Sequence, residues 1–189
     1  MEKAEARTEI KRRVAGLTAA VRAAKSERIR VRLLAVPEFA RARVVMLFAS
    51  MADEADTLGI IDAALSAGKT VVLPKVDGKA RVMTAHPVRS MAADTAPGVF
   101  GILEPAGTEA VDPAEIDFCL VPARAFDRLG RRLGRGAGYY DRFMAHPGFR
   151  AFRCGIAFRE QVMDDVPHEP HDLPVEMIVT DEEIMRMVG

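Results

Sequence analysis

The sequence has no excess charge of either sign, because its 27 lysines and arginines balance 27 aspartates and glutamates. A chain without net charge does not present a general polyanion-binding surface, so any anion site has to be local. Cysteine is scarce, and the two cysteines, Cys119 and Cys154, both lie in apolar strand-like runs. We therefore expect buried free thiols and a reducing compartment.

Long apolar runs are also missing. The longest, residues 44–49, is far too short to span a bilayer. Residues 1–7 are charged and lack the apolar stretch of a secretory signal. There is no internal repeat and no low-complexity tract. We expect one cytoplasmic domain over residues 1–189, with no membrane partner and no obligate interface, so that the chain is a monomer.

Strand-like and helical segments alternate along the chain. This pattern predicts an α/β fold, a single three-layer domain with a largely parallel central sheet flanked by helices, Rossmann-like in its layout. Residues 86–115 carry many prolines and glycines and are predicted to be mostly loop. The predicted helices are residues 3–35 (one or two helices), 55–67 and 138–145. The predicted strands are residues 43–49, 70–73, 80–85, 117–121, 152–157 and 177–179.

Parallel sheets of this kind bind ligands at the carboxyl ends of their strands. Three segments follow predicted strands and should meet at that edge. They are residues 50–57, residues 122–140 and the segment from residue 158 onward.

Glycines at alternate positions mark the second of these segments. Gly134, Gly136 and Gly138 can take backbone angles closed to other residues, and their N–H groups can line a concave anion site. The segment is not a Walker A loop, because no Gly-Lys-Ser/Thr follows, and it lacks the Rossmann spacing of glycines. Three glycines alone also fit an ordinary connection between a strand and a helix.

Charged residues within the same segment favour a functional interpretation. Arg132 and Arg135 are planar cations suited to phosphate oxygens. Asp141 follows, and its carboxylate could meet a hard cation such as Mg2+ carried by the phosphates. The pattern predicts a cradle for nucleotide phosphates that ends in a metal-binding carboxylate.

Residues 120–143 resemble the signature of the 5-formyltetrahydrofolate cyclo-ligase family, also called methenyltetrahydrofolate synthetases. The resemblance extends over most of the chain, in the same order. It includes Lys3 with Arg7, Ser50-Met51, residues 54–57, Gly68-Lys69, Leu73-Pro74, Glu104-Pro105, His171-Asp172 and residues 178–180.

The resemblance implies an enzyme that converts 5-formyltetrahydrofolate to 5,10-methenyltetrahydrofolate with ATP and Mg2+. It makes Arg135 the main catalytic candidate, for holding the transferred phosphoryl group, and Asp141 and Asp172 the metal ligands. The implied folate contacts are Met51, Asp56, Arg135 and Tyr139. The implied ATP contacts are Lys3, Arg7, Arg132, Leu133, Gly134, Arg135, Gly136, Ala137, Gly138, Tyr139 and Tyr140.

Several of these residues also have a structural interpretation. Lys3 and Arg7 lie on one helix face and could form a solvated charged end. Met51 could fill the core, and Tyr139 and Tyr140 could either stack on the pterin or simply pack.

Two rival functions stay open. Arginines between residues 124 and 142 could bind nucleic acid, although the zero net charge argues against that partner. An inactive relative that only binds folate or nucleotide is the second rival. No Ser-His-Asp or Cys-His nucleophile set is apparent, and none is needed if the folate's own nitrogen attacks.

Overall fold

The structure is a computed structural model that describes residues 1–98 and 101–187. Its helices are α1 (Lys3–Ala15), α2 (Ala19–Leu34), α3 (Pro37–Arg41), α4 (Leu58–Ser66), α5 (Met91–Asp94) and α6 (Tyr139–Met144). Its strands are β1 (Val44–Met46), β2 (Thr70–Asp77), β3 (Val82–Val88), β4 (Thr95–Pro97), β5 (Leu103–Pro105), β6 (Phe118–Val121), β7 (Ala125–Asp127), β8 (Arg132–Leu133), β9 (Phe152–Ala157), β10 (Val162–Met163), β11 (Met177–Thr180) and β12 (Ile184–Arg186).

Seven strands form the central sheet, in the order β12-β11-β9-β6-β1-β2-β3. The five inner strands are parallel, and the edge strands β3 and β12 are antiparallel to their neighbours. The prediction of an α/β fold with a largely parallel sheet is confirmed. The chain moves outward from β1 in both directions, so the strand order reverses between β1 and β6.

Side chains of the inner strands alternate between two apolar cores, one on each face of the sheet. In β6, Phe118 and Leu120 join the core that contains buried residues of α1, α2, α3 and α4. Cys119 and Val121 face the other way, into a core with residues of α6 and β7. A strand buried on both faces reads as an unbroken apolar run, which is why these short runs predicted strands correctly.

The two faces are covered differently. Four helices cover the first face, whereas the second is covered by α6 and elements of a small sheet with the strand order β10-β7-β8. On the first face, the helical region predicted over residues 3–35 forms two helices, α1 and α2. Thr18 begins the second helix by accepting a hydrogen bond from the Val21 N–H at 3.2 Å.

The prediction of a loop over residues 86–115 is wrong in part. Strand β3 reaches Val88, and α5 and the β4–β5 hairpin follow it. Strands of three residues between prolines carry too little periodicity to be predicted. Residues 99–100 of this stretch lie outside the described residues, as do residues 188–189.

The predicted helix over residues 55–67 begins later, at Leu58, because the preceding residues are held as a loop. The Thr57 hydroxyl donates to the Phe48 carbonyl at 2.5 Å and accepts from the Ser50 N–H at 2.9 Å. These bonds fix the segment that leaves β1. A single domain over residues 1–189 stays a prediction. Within residues 1–98 and 101–187, no helix is long and apolar enough to cross a membrane.

Candidate active site

A cavity of about 650 Å³ opens at the carboxyl ends of β1, β2 and β6, beside the point where the strand order reverses. This is the edge at which parallel sheets bind ligands, and the volume suits a small organic molecule. Two of the three segments expected at this edge contribute to the lining. The third contributes only Glu169, His171 and Asp172, which lie well beyond its strand.

The glycine loop forms one wall of the cavity. Gly136 and Gly138 have φ angles of 106° and 66°, in the left-handed region that disfavours other residues. Gly138 is also the residue from which α6 begins. Gly134 has no positive φ, so conformational freedom explains two of the three glycines.

Helix α1 brings Lys3 and Arg7 to the same wall. The Arg7 guanidinium donates to the Gly134 carbonyl at 2.9 Å and covers Gly136, where an added Cβ would lie 3.5 Å from Nη2. Lys3 Nζ lies 2.7 Å from an Asp172 oxygen. Both residues therefore line the cavity as the resemblance implies, and their contact with ATP stays a prediction.

Arg132 and Asp141 form a buried ion pair in the floor of the cavity. The Arg132 side chain is 4% exposed, and its Nη2 lies 2.5 Å from Asp141 Oδ1. Burial lowers the pKa of Arg132, and the charge of Asp141 opposes that effect. The Arg132 Nε has no hydrogen-bond partner among the described residues.

Arg135 is held by two carboxylates from the loop after β1. Its Nη2 lies 2.7 Å from Glu54 and 3.1 Å from Asp53, and Asp53 also pairs with Arg124. Burial lowers the pKa of Arg135, but the hydrogen bonds to Glu54 and Asp53 raise it by more. Asp53 is not predictable as a partner from the sequence, because it lies 82 residues from Arg135.

The two tyrosines differ in their surroundings. The Arg142 guanidinium lies 5.1 Å from the centre of the Tyr139 ring, in a cation–π contact. The Tyr140 hydroxyl is buried without a hydrogen-bond partner among the described residues, and burial raises the pKa of Tyr140. Both rings line the cavity, so stacking on a ligand stays a prediction for each.

The predicted metal ligands, Asp141 and Asp172, both line the cavity and both act electrostatically on Arg132. Each uses one carboxylate oxygen for its closest contacts. Asp141 Oδ1 accepts from Arg132, and Asp172 Oδ2 accepts from Lys3. Across the described ranges no cluster of three or more His, Cys, Asp or Glu residues could hold a metal alone. Two carboxylates nevertheless fit Mg2+, which often binds through one or two carboxylates and substrate phosphates.

The predicted folate contacts separate in the structure. Met51 lines the cavity. Asp56 does not line it, because its exposed carboxylate turns to the start of α4 and accepts from the Leu58 N–H at 3.1 Å. Its contact with folate stays a prediction that this placement does not favour. Glu54 and Glu104 line the cavity instead, although neither was predicted to have a role.

These features define a class of protein: an α/β protein with a glycine- and arginine-rich anion cradle at the carboxyl edge of its sheet. Comparison identifies the family. The sequence profile of the 5-formyltetrahydrofolate cyclo-ligase family matches residues 1–181. The chain therefore belongs to that family, and it is an enzyme, a ligase of folate metabolism.

Individual relatives agree with this assignment. A 5-formyltetrahydrofolate cyclo-ligase of Mycolicibacterium smegmatis is 32% identical over 73% of this chain and 73% of its own length. The mouse enzyme of that name is 27% identical over 93% of this chain and 92% of its own. The NMR structure of the Aquifex aeolicus 5,10-methenyltetrahydrofolate synthetase superposes with a TM-score of 0.88 at 33% identity. It covers 100% of this chain and 94% of the Aquifex chain.

Proposed function

We propose that the protein converts 5-formyltetrahydrofolate to 5,10-methenyltetrahydrofolate with ATP and Mg2+, releasing ADP and phosphate. The supporting observation is the meeting of three features in one cavity: a glycine loop, four cationic side chains and an apolar end. The cationic residues are Lys3, Arg7, Arg132 and Arg135. The loop and the cations suit a triphosphate, and the apolar end suits an aromatic ring system.

The chemistry requires activation of a formamide oxygen, which is a poor leaving group. In the proposed reaction this oxygen attacks the γ-phosphorus of ATP, and ADP leaves. The formyl carbon then has a phosphate as its leaving group. The folate N10 attacks that carbon, loses its proton, and phosphate departs. Positioning and charge neutralisation can provide most of the rate enhancement for such a reaction.

The glycine loop and the charged residues around it each have a role in this scheme. N–H groups around Gly136 and Gly138 would bind phosphate oxygens. Arg7 would hold the loop in place through its contacts with Gly134 and Gly136. Arg135 would hold the transferred phosphoryl group, because its side chain remains 34% exposed and can turn from its carboxylate partners to a ligand. Asp141 and Asp172 would hold Mg2+, which when bound supplies neutralisation of the triphosphate charge.

The pairing of the arginines argues against the nucleic-acid alternative. Five of the six arginines between residues 124 and 142 contact a carboxylate, and the sixth, Arg142, donates to a backbone carbonyl. A nucleic-acid surface needs cations directed at solvent along a stripe. We propose that the protein does not bind nucleic acid.

Turnover by the purified protein tests the proposal. Protein mixed with 5-formyltetrahydrofolate, ATP and Mg2+ should develop the near-ultraviolet absorbance of the methenyl product, with one ADP per product. Arg135→Ala should lower kcat by about 100-fold or more, because a donor aimed at developing charge is removed. Arg128→Ala is the matched control, since its Glu183 partner lies outside the cavity. Absence of both product and ADP would contradict the proposal.

We also propose that the enzyme acts as a cytoplasmic monomer. The buried free thiols Cys119 and Cys154 suit a reducing compartment. Sedimentation of the active protein at assay concentration would test the monomer.

A further inference from the structure

The cavity has two chemically different ends. The glycine loop and its arginines form the cationic end. The other end lies over β2, β3 and β5 and is lined by apolar side chains that include Pro74, Val76, Met83 and Leu103. One carboxylate, that of Glu104, also lines this apolar end.

Glu104 is held in place by the β4–β5 hairpin. It pairs with Ala96 across the hairpin, and its side chain packs directly on Gly98. A Cβ added to Gly98 would come within 2.5 Å of Glu104 Cγ and would overlap the carboxyl group. A glycine at position 98 therefore leaves the space that the carboxylate occupies.

Glu104 has no cationic side chain bound to it among residues 1–98 and 101–187. Burial raises the pKa of Glu104, and a backbone hydrogen bond from Val76 together with the charge of Lys75 only partly opposes this. The Lys75 ammonium itself is directed to the Gly107 carbonyl at 2.9 Å. A half-buried carboxylate in apolar surroundings gains from any ligand that brings hydrogen-bond donors.

Two other carboxylates of the segment after β1, those of Asp56 and Glu54, already accept hydrogen bonds from other groups. Asp56 lies outside the cavity and accepts from Leu58. Both oxygens of Glu54 are used, one by the Met51 N–H at 2.8 Å and the other by Arg135 at 2.7 Å. Glu104 is the carboxylate of the apolar end that is left to accept new hydrogen bonds.

We infer that Glu104 determines specificity for the pterin ring by accepting hydrogen bonds from its 2-amino group and N3–H. The inference rests on the proposed function. These two N–H groups lie side by side and match the two oxygens of one carboxylate. The formyl group on N5 has to face the γ-phosphate, and the amino edge lies across the ring from N5. The amino edge of a bound pterin therefore points away from the cationic end, toward Glu104.

Binding measurements with Glu104→Gln test this inference. Calorimetry without ATP should show that 5-formyltetrahydrofolate binds about 10- to 100-fold more weakly to the variant, because a charged acceptor is lost. ATP affinity should be unchanged, which also shows that the variant is folded. Glu109→Gln, which removes the same charge outside the cavity, is the matched control and should bind folate normally.

A substrate analogue without the 2-amino group separates recognition from a merely structural role. The unsubstituted protein should bind this analogue more weakly than 5-formyltetrahydrofolate, whereas Glu104→Gln should bind the two almost equally. Gly98→Ala keeps the charge but displaces the carboxylate, so it should lose the same discrimination. If Glu104→Gln still prefers 5-formyltetrahydrofolate over the analogue by as large a factor as the unsubstituted protein does, the inference is overturned while the proposed function stands. If the unsubstituted protein neither binds nor converts 5-formyltetrahydrofolate, both are overturned.

Discussion

The two aspartates predicted to hold magnesium differ in the burial of the cation that each one contacts. Asp141 contacts Arg132, whose side chain is 4% exposed, whereas Asp172 contacts Lys3, whose side chain is 27% exposed. The same change from Asp to Asn at the two positions should therefore have different effects on stability. Removing one partner of a buried pair leaves an uncompensated charge, whereas a partly exposed pair that water can reach contributes less.

The structure sets the expected magnitudes. Asp141→Asn should lower the free energy of unfolding by about 3 kcal/mol, since the Arg132 charge stays buried beside a neutral group. Asp172→Asn should lower it by about 0.2–1 kcal/mol, because water can solvate the Lys3 ammonium. The Asn side chains keep the original shape, so packing should contribute little to either difference.

Urea unfolding without nucleotide or metal measures both effects apart from catalysis. A double variant, Asp141→Asn with Arg132→Met, should be more stable than the sum of its single changes predicts, because the buried charge is removed together with its partner. Equal unfolding midpoints for Asp141→Asn and Asp172→Asn would refute the argument from burial. So would strict additivity of the two changes in the double variant.

Three further outcomes follow from the same structure. Gly138→Ala should lower the free energy of unfolding by about 1–2 kcal/mol, because its φ is 66°, while Gly134→Ala should unfold within about 0.5 kcal/mol of the parent. The effect of Asp172→Asn should depend on pH. Burial alone would raise the pKa of Asp172, but the Lys3 hydrogen bond lowers it below 3.8, so the stabilisation is complete above pH 3.8 and is lost as the pH falls through the lowered pKa. A pH series of urea midpoints should show the two proteins converging in strong acid. Cys119 and Cys154 should react with a thiol reagent only in urea, because both are buried and burial raises the pKa of Cys119 to about 12. Rapid labelling of the native protein would contradict their burial.

The sheet and the glycine loop were predictable because their signals are local. The run around Phe118 is apolar on both faces of its strand, and nothing but a buried strand or helix fits so short a run. The three glycines of the cradle and two of its arginines, Arg132 and Arg135, lie within residues 132–141, so a local pattern marked the site. Where the determinants are close in sequence, pattern and structure agree.

Other parts of the site depend on contacts between distant segments. Arg135 meets Glu54 across 81 residues, and Arg7 meets Gly134 across 127. No spacing rule predicts such pairs. The orientation of Asp56 is a second example, since the residue was predicted to face the folate but its carboxylate binds the backbone at the start of α4. Glu104 could not be given a role, because its hairpin was predicted as loop.

The charge balance of the chain has a physical consequence at the site. Glu54 and Asp53 already neutralise Arg135, and Asp141 neutralises Arg132, so the cradle is not an open basic patch. A weak anion has to compete with carboxylates held at hydrogen-bond distance. A triphosphate competes better than a single phosphate, because it can contact several cations and the loop N–H groups together. A divalent cation would also compensate the carboxylates that the arginines release. We therefore expect that ATP with Mg2+ binds much more tightly than inorganic phosphate, and that titration with each ligand alone and together would show this dependence.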